Sequence, residues 1–296
     1  MKRLLVLSGK GGTGKTTVSS YIIAKSGARA YADCDVDAPN LHIVTSLDVD
    51  PVDSLYWGSN KGKVDPDKCV GCGACYDVCR FNSIRMVDDK AVIDEFACEG
   101  CGACSYICPE DAVSMEKDMA GRMELQKDYR KVFSTATLRM GRGNSGKLVS
   151  EVKKAMNENA FEDTELAVID GSPGIGCPVI ASISGVDLVL LVTEPSMSGL
   201  SDLERIVKTC RMFNTPMGIV VNKADLQKER CQAILDFAEK EGIAFLGRIP
   251  YDKTVFECVN SGRTVLGTDS DAEHALERIY ENAMKLLASL DKEKLL

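Results

Sequence analysis

The sequence predicts a doubly wound α/β protein with a mainly parallel sheet, interrupted once by a small inserted α+β domain. Three observations predict it. Short apolar runs alternate with helical patterns in both halves of the chain, a glycine-rich loop separates the first run from the first helix, and a cysteine-dense stretch in between repeats itself. The chain has 296 residues, 45% hydrophobic and 27% charged, which suits a globular protein with a sizeable core and excludes wholesale disorder. Its net charge of −8 excludes a chain built to coat a polyanion, so no nucleic-acid partner is expected. The thirteen cysteines are odd in number and eight of them fall in two tight groups, which argues against a secreted disulfide framework. Only four apolar residues follow Met1-Lys2-Arg3, and no run approaches the roughly 18 residues of a membrane span. A soluble, reduced, cytoplasmic protein without membrane contact is expected.

Leu4–Leu7 is the first strand, followed by the glycine-rich loop, a helix from about Lys15 to Lys25 and a second strand over Ala28–Ala32. In the second half, Leu166–Ile169, Leu188–Val192, Met217–Val221 and Ile243–Leu246 read as strands, with helices around Leu200–Met212 and Lys228–Lys240. Apolar runs this short, spaced by helices, are parallel strands covered on both faces, with ligands at their C-terminal ends. Residues 60–117 form the insertion, and 1–59 with 118–296 form the discontinuous larger domain.

Gly9-Lys10-Gly11-Gly12-Thr13-Gly14-Lys15-Thr16, followed by Thr17, fits G-x-x-x-x-G-K-[ST] with a strand before it and a helix after it. Glycines let backbone N–H groups converge on phosphate oxygens at a helix N-terminus; Lys15 neutralises the β/γ charge and the Thr16 hydroxyl can ligate Mg²⁺. Asp33, Asp35 and Asp37 follow the second strand and read either as a functional carboxylate group or as a polar strand-end loop. Ala167-Val168-Ile169-Asp170-Gly171-Ser172-Pro173-Gly174 is an apolar strand ending in a carboxylate that can hold the Mg²⁺ shell through water.

With the second lysine, Lys10, the loop is a deviant one, and the chain resembles the MinD/ParA-type ATPases, relatives of the Mrp-type iron–sulfur carriers and the nitrogenase iron protein. The resemblance implies an ATP-state homodimer in which Lys10 reaches the phosphates of the opposite subunit. It implies that Asp35 orients the attacking water, and that Asn222 and Lys223, with Pro250 in the next loop, hold adenine. Asn222-Lys223-Ala224-Asp225 also spells the N-K-x-D that reads guanine, so the base stays open between ATP, the resemblance's choice, and GTP.

Cys69-Val-Gly-Cys72-Gly-Ala-Cys75-Tyr-Asp-Val-Cys79 recurs 29 residues later as Cys98-Glu-Gly-Cys101-Gly-Ala-Cys104-Ser-Tyr-Ile-Cys108. This C-x₂-C-x₂-C-x₃-C spacing resembles that of bacterial two-cluster ferredoxins, in which the last cysteine of each run serves the other cluster. The resemblance implies one [4Fe–4S] cluster on Cys69, Cys72, Cys75 and Cys108, and another on Cys98, Cys101, Cys104 and Cys79. Structural zinc, the competing thiolate chemistry, pairs C-x₂-C units across a longer gap. Cys34, Cys177, Cys210, Cys231 and Cys258 form no C-x-x-C, the pair with which Mrp-type carriers hold a transferable cluster; Cys177 is expected to be buried. Lys117–Lys154 carries ten basic residues against four acidic ones, with a mobile basic loop around Gly141–Lys147 that reads as a solvated face or a docking surface. The amphipathic pattern from Ala275 to Leu290 is expected to pack on the sheet. Together these features lead to an expected nucleotide-gated electron-transfer component with an unidentified redox donor and client. The alternatives are an iron–sulfur assembly carrier and a positioning switch with a redox-sensing module.

Overall fold

The computed structural model describes residues 1–293. Along the chain run β1 (Lys2–Ser8), α1 (Lys15–Ser26), β2 (Ala30–Asp33), α2 (His42–Thr45), β3 (Val52–Trp57), β4 (Lys61–Val64), α3 (Ala74–Val78), β5 (Ile84–Val87), β6 (Lys90–Ile93), α4 (Ala103–Ile107) and β7 (Val113–Glu116). There follow β8 (Met119–Lys127), β9 (Val132–Leu138), α5 (Ser145–Asn159), β10 (Leu166–Pro173), α6 (Cys177–Ile183), β11 (Leu188–Thr193), α7 (Gly199–Met212), β12 (Met217–Val221), α8 (Lys228–Lys240), β13 (Ala244–Arg248), α9 (Lys253–Asn260) and α10 (Asp271–Glu293). They form two compact units. The first takes Met1–Asp53, Met123–Thr137 and the chain from Gly146 onward; the second takes Ser54–Arg122 and Leu138–Ser145. The second unit is wider than the 60–117 read from the cysteine repeat, because the apolar and basic stretches flanking the repeat carry no cysteine to mark them.

In the first unit the strands lie in the order β13-β12-β11-β1-β10-β2-β9, continuing to β8. The pairs β1–β10, β1–β11, β10–β2, β11–β12, β12–β13 and β2–β9 are all parallel. Leu4, Leu5, Val6 and Leu7 are all fully buried, so both faces of β1 are covered, as the unbroken apolar run requires. Leu4 and Val6 join a core with Val18, Tyr21 and Ile22 of α1 and Leu276, Ile279 and Ala283 of α10. The C-terminal helix therefore packs on the sheet as expected, and Asn282 donates to the Leu246 carbonyl at 2.9 Å. Among the described residues no helix is long and apolar enough to cross a membrane. The chain leaves β1 for β2 on one side and later continues from β10 to β11 on the other. The loops after β1, β2 and β10 therefore open at the reversal of strand order, where such sheets hold ligands.

β9 carries no signal that its sequence made legible: Ser134, Thr135 and Ala136 dilute its apolar residues, yet it is buried beside β2. The basic segment is not a uniformly solvated face either. In the second unit the Arg142 guanidinium, 7% exposed, pairs with Glu95 at 2.7 Å and Asp118 at 3.2 Å and stacks on Phe96 at 5.0 Å, so the loop expected to be mobile is pinned. In the first unit, Lys153 of α5 is buried and donates to the carbonyls of Ala181, Ser182 and Ser184 at 2.9, 2.7 and 2.6 Å. An ammonium at a helix C-terminus satisfies carbonyls that the helix itself leaves open. Burial pushes the Lys153 amine down to about 8; the three carbonyls are what makes its place in the core tolerable. Lys153→Met should cost about 2–4 kcal/mol of unfolding free energy in a urea titration, because three buried acceptors lose their donor. An unchanged midpoint would refute this role.

The second unit is built from two copies of one pattern. β4 pairs antiparallel with β7 and β5 with β6. The same 29-residue step that relates the cysteine runs relates β4 to β6, α3 to α4 and β5 to β7. Each antiparallel pair thus combines a strand that precedes one cysteine run with a strand that follows one. This is the small α+β duplication the repeat predicted.

Candidate functional site

The loop after β1 turns at Gly12 and Gly14, whose φ values of +78° and +91° lie in the left-handed region that favours glycine. A side chain at Gly14 would also stand 2.1 Å from Asn222 Nδ2. That amide donates to the Thr13 carbonyl at 2.8 Å while its Oδ1 accepts from the Lys223 N–H at 2.9 Å, so Asn222 ties the loop to the end of β12. Lys223 extends the tie by donating to the Gly12 carbonyl at 3.2 Å.

Four of the residues singled out in the sequence converge. Lys15 Nζ lies 3.1 Å from Asp170 and 3.7 Å from Asp35, and the Thr16 hydroxyl donates to Asp170 Oδ2 at 2.7 Å. Burial works against the Lys15 charge, but Asp170, Asp35 and Asp33 outweigh it and raise the amine above its ordinary value. Asp33 and Asp35 are themselves pushed up, first by burial and then by Asp170, while Lys15 pulls the other way. Three carboxylates face one ammonium. Fully ionised, the group lacks two positive charges, which is what a divalent cation brings, and the Thr16 hydroxyl stands at the carboxylate where it would coordinate.

The three aspartates after β2 separate by geometry. Asp33 accepts the backbone N–H groups of Asp35, Asn40 and Leu41 at 2.9–3.0 Å and shapes the loop. Asp37 is exposed. Asp35 alone of the three lines the cleft, about 590 Å³ in volume, together with Gly11, Gly12, Gly14, Lys15, Thr16 and Thr17. That volume is of the size that small-molecule ligands fill. The cleft's far wall of Ile43, Val44, Val255, Phe256 and Val259 was not found from sequence; Tyr251, next to Pro250, and Asn40, whose Oδ1 lies 2.8 Å from the Thr16 hydroxyl, line the cleft as well. The helical spacing of Val255, Phe256 and Val259 on α9 was the available signal. Asn222, Lys223 and Pro250 also line the cleft, whereas Asp225 does not; its carboxylate accepts the Tyr251 N–H at 2.6 Å.

Lys10 stands apart. It does not line the cleft, and its ammonium is held by Glu194 at 2.6 Å and the Ser196 hydroxyl at 3.0 Å. Glu194 also binds Lys223 at 3.2 Å; burial opposes its charge, yet the two lysines keep the carboxyl below its usual range. Cys177 corrects the expectation of burial: it is exposed, because α6 turns Val179, Ser182 and Ile183 inward and leaves Cys177 on the opposite face. Cys34, Cys210, Cys231 and Cys258 are buried.

In the second unit one cavity is lined by Cys69, Cys72, Cys75 and Cys108, and another by Cys79, Cys98, Cys101 and Cys104, the two sets that the ferredoxin resemblance implies. The thiols ring these voids, and among the described residues no group of three or more His, Cys, Asp or Glu converges on a single ion position. The Cys69 thiol is held below its usual range by the N–H groups of Ala91 and Gly71, while burial pushes Cys75 and Cys104 up. The Ala112 N–H points at Cys108 Sγ at 3.3 Å and the Ser83 hydroxyl lies 3.2 Å from Cys79 Sγ, equivalent positions in the two repeats.

Residues 4–265 match the CobQ/CobB/MinD/ParA nucleotide binding domain. The chain belongs to that family of P-loop ATPases. An uncharacterized protein of Methanocaldococcus jannaschii is 31% identical over 290 residues, 96% of this chain and 97% of its own. An iron–sulfur cluster carrier protein of Pyrococcus horikoshii is 24% identical over 306 residues, 97% of this chain and 87% of its own. The fold is that of MinD of Pyrococcus horikoshii in complex with Mg-ADP, with a TM-score of 0.57 at 18% identity over 98% of both chains. Within such a nucleotide site, Gly14→Ala should raise the nucleotide dissociation constant at least about tenfold, because the left-handed turn is strained and the Asn222 tie is displaced. Calorimetric titration with Mg-ATP checks this, and unaltered affinity would refute the tie.

Proposed function

We propose that the protein is a nucleotide-gated electron-transfer component: an Mg-dependent ATPase that carries two [4Fe–4S] clusters and delivers electrons to a partner protein as a homodimer. The observation that carries the reading is the pair of four-thiol cradles on the same chain as a P-loop site. Cys69, Cys72, Cys75 and Cys108 would hold one cluster and Cys98, Cys101, Cys104 and Cys79 the other. Such a cluster, when bound, accepts and returns one electron. Ringed voids suit a multi-iron core better than a single zinc ion, whose four sulfurs would crowd around one point at about 2.3 Å.

For the nucleotide, Lys15 and the loop's N–H groups take the phosphates, Thr16 and Asp170 (the latter through water) take Mg²⁺, and Asp35 orients the attacking water. The base is adenine: Asp225, which would have to read guanine, is engaged with the Tyr251 backbone and outside the cleft. Lys10 is held by Glu194 and does not line its own cleft, in keeping with a role at the opposite subunit's phosphates. The second unit interrupts the ATPase chain after the Asp35 loop, so a loop that orders around nucleotide lies close in sequence to the cluster-bearing unit.

A cluster carrier is the second reading, favoured by the similarity to proteins named iron–sulfur cluster carriers. The absence of a C-x-x-C among the five other cysteines supports electron transfer over it.

Anaerobically purified protein should contain about eight iron and eight sulfide per chain and keep them while cycling between redox states. Colourless, zinc-loaded protein would overturn the electron-transfer function, and stoichiometric passage of iron to an apo-ferredoxin would favour the carrier. Asp35→Ala should bind ATP and lose about a hundredfold or more in kcat, since its task is to place water rather than hold phosphate. Lys10→Ala should keep nucleotide affinity and lose the dimer seen by light scattering with a non-hydrolysable ATP analogue; a dimer of undiminished strength would remove Lys10 from the interface.

A further inference from the structure

The 29-residue repeat extends beyond the cysteines to a pair of lysines. Lys61 opens β4 and Lys90 opens β6, one repeat apart, and each stands eight residues before the first cysteine of its own run. Neither serves its own run. Lys61 donates its ammonium to the Cys98 carbonyl and Lys90 donates to the Cys69 carbonyl, so the lysines are exchanged between the repeats. The residues just before them are exchanged in the same way: a side chain at Gly71 would stand 2.2 Å from the Asp89 carbonyl oxygen, and one at Gly100 would stand 2.1 Å from that of Asn60. Both lysines are half-buried, and among the described residues neither forms an ion pair. By contrast Lys63, two residues from Lys61, is exposed and pairs with Glu116 at 3.3 Å.

An ammonium fixed at a cysteine of each cradle without a counter-ion is a charge placed with intent by geometry. Half-burial lowers the local dielectric, so the charge acts more strongly than on a wet surface. A four-iron cluster held by four thiolates becomes more negative by one unit when it takes an electron, and net charge and hydrogen bonding are among the levers that set its potential. We propose that Lys61 and Lys90 are positioning residues that set the two reduction potentials: Lys90 raises that of the cluster on Cys69, Cys72, Cys75 and Cys108, and Lys61 that of the cluster on Cys98, Cys101, Cys104 and Cys79. The assignment rests on the reading that both cradles hold clusters.

The test is redox titration of the full-length, cluster-loaded protein by protein-film voltammetry, with iron counted for every variant. Lys90→Gln keeps a hydrogen-bond donor but removes the charge. It should shift one of the two couples to lower potential, by about tenfold in the reduced-to-oxidised ratio or about 59 mV for a one-electron couple. Lys61→Gln should shift the other couple, and the double variant should shift both. Arg at either position should restore the wild-type potential, whereas Lys63→Gln, with the same loss of net charge, should move neither. Couples that stay in place in iron-replete Gln variants would overturn the assignment, as would equal shifts from Lys63→Gln. Loss of iron from the Gln variants would make the lysines braces for the loops, and equally overturn it. Wild-type protein without iron would instead defeat the cluster reading itself, a distinguishable failure.

Discussion

Lys15 sits among three carboxylates contributed by two strands, Asp170 from β10 and Asp33 and Asp35 from the end of β2, and much of the first unit serves to keep that arrangement in place. A buried ammonium is tolerable only with partners, and buried carboxylates only with a cation. The partners come from segments distant in sequence, so they meet only if β1, β10 and β2 pair in the observed parallel register, with Val6 opposite Asp170 and Asp170 opposite Asp33. The apolar strands bring the charges together, and the charges make any other register expensive. The same imbalance, more negative charge than Lys15 can answer, prepares the site for a metal-bound phosphate chain.

Around that centre, the supporting contacts are mostly between loops. Asn222 and Lys223 reach back from β12 to the phosphate loop, Glu194 holds Lys10 and Lys223 at once, and Lys153 closes the C-terminal carbonyls after α6. The first two sets of contacts tie the phosphate loop to the end of β12 and to the turn after β11, and the third holds α5 to α6 outside the cleft. The phosphate loop is therefore braced from one side while the cleft side stays open.

Much of this was legible in the sequence where chemistry demands fixed spacing. The glycines and Lys15–Thr16, the strand-end Asp170 and the two cysteine sets appear where backbone turns and thiolate loops oblige them to be. What escaped was set by packing. β9 is buried despite its serine and threonines because it lies inside the sheet, and Cys177 is exposed because the helix phase is fixed by Val179, Ser182 and Ile183. Arg142 reads as one more charge in a basic loop, yet Glu95, Asp118 and Phe96 enclose it. Asp225 matched a base-reading motif letter by letter, and only the Tyr251 N–H reveals where its carboxylate is spent.

The exchange between the two repeats of the second unit has a consequence for how its halves can exist. Each cradle draws three thiols from one cysteine run and takes its fourth thiol, its lysine contact and its backing turn from the other copy's side of the duplication. A peptide carrying one run alone would own no complete cradle. It could complete one only by associating with a second copy of itself, each giving what the other lacks. In stoichiometric terms the repeat is a two-fold dimer written into a single chain, in which a covalent linker has replaced the concentration that two separate halves would need to find each other.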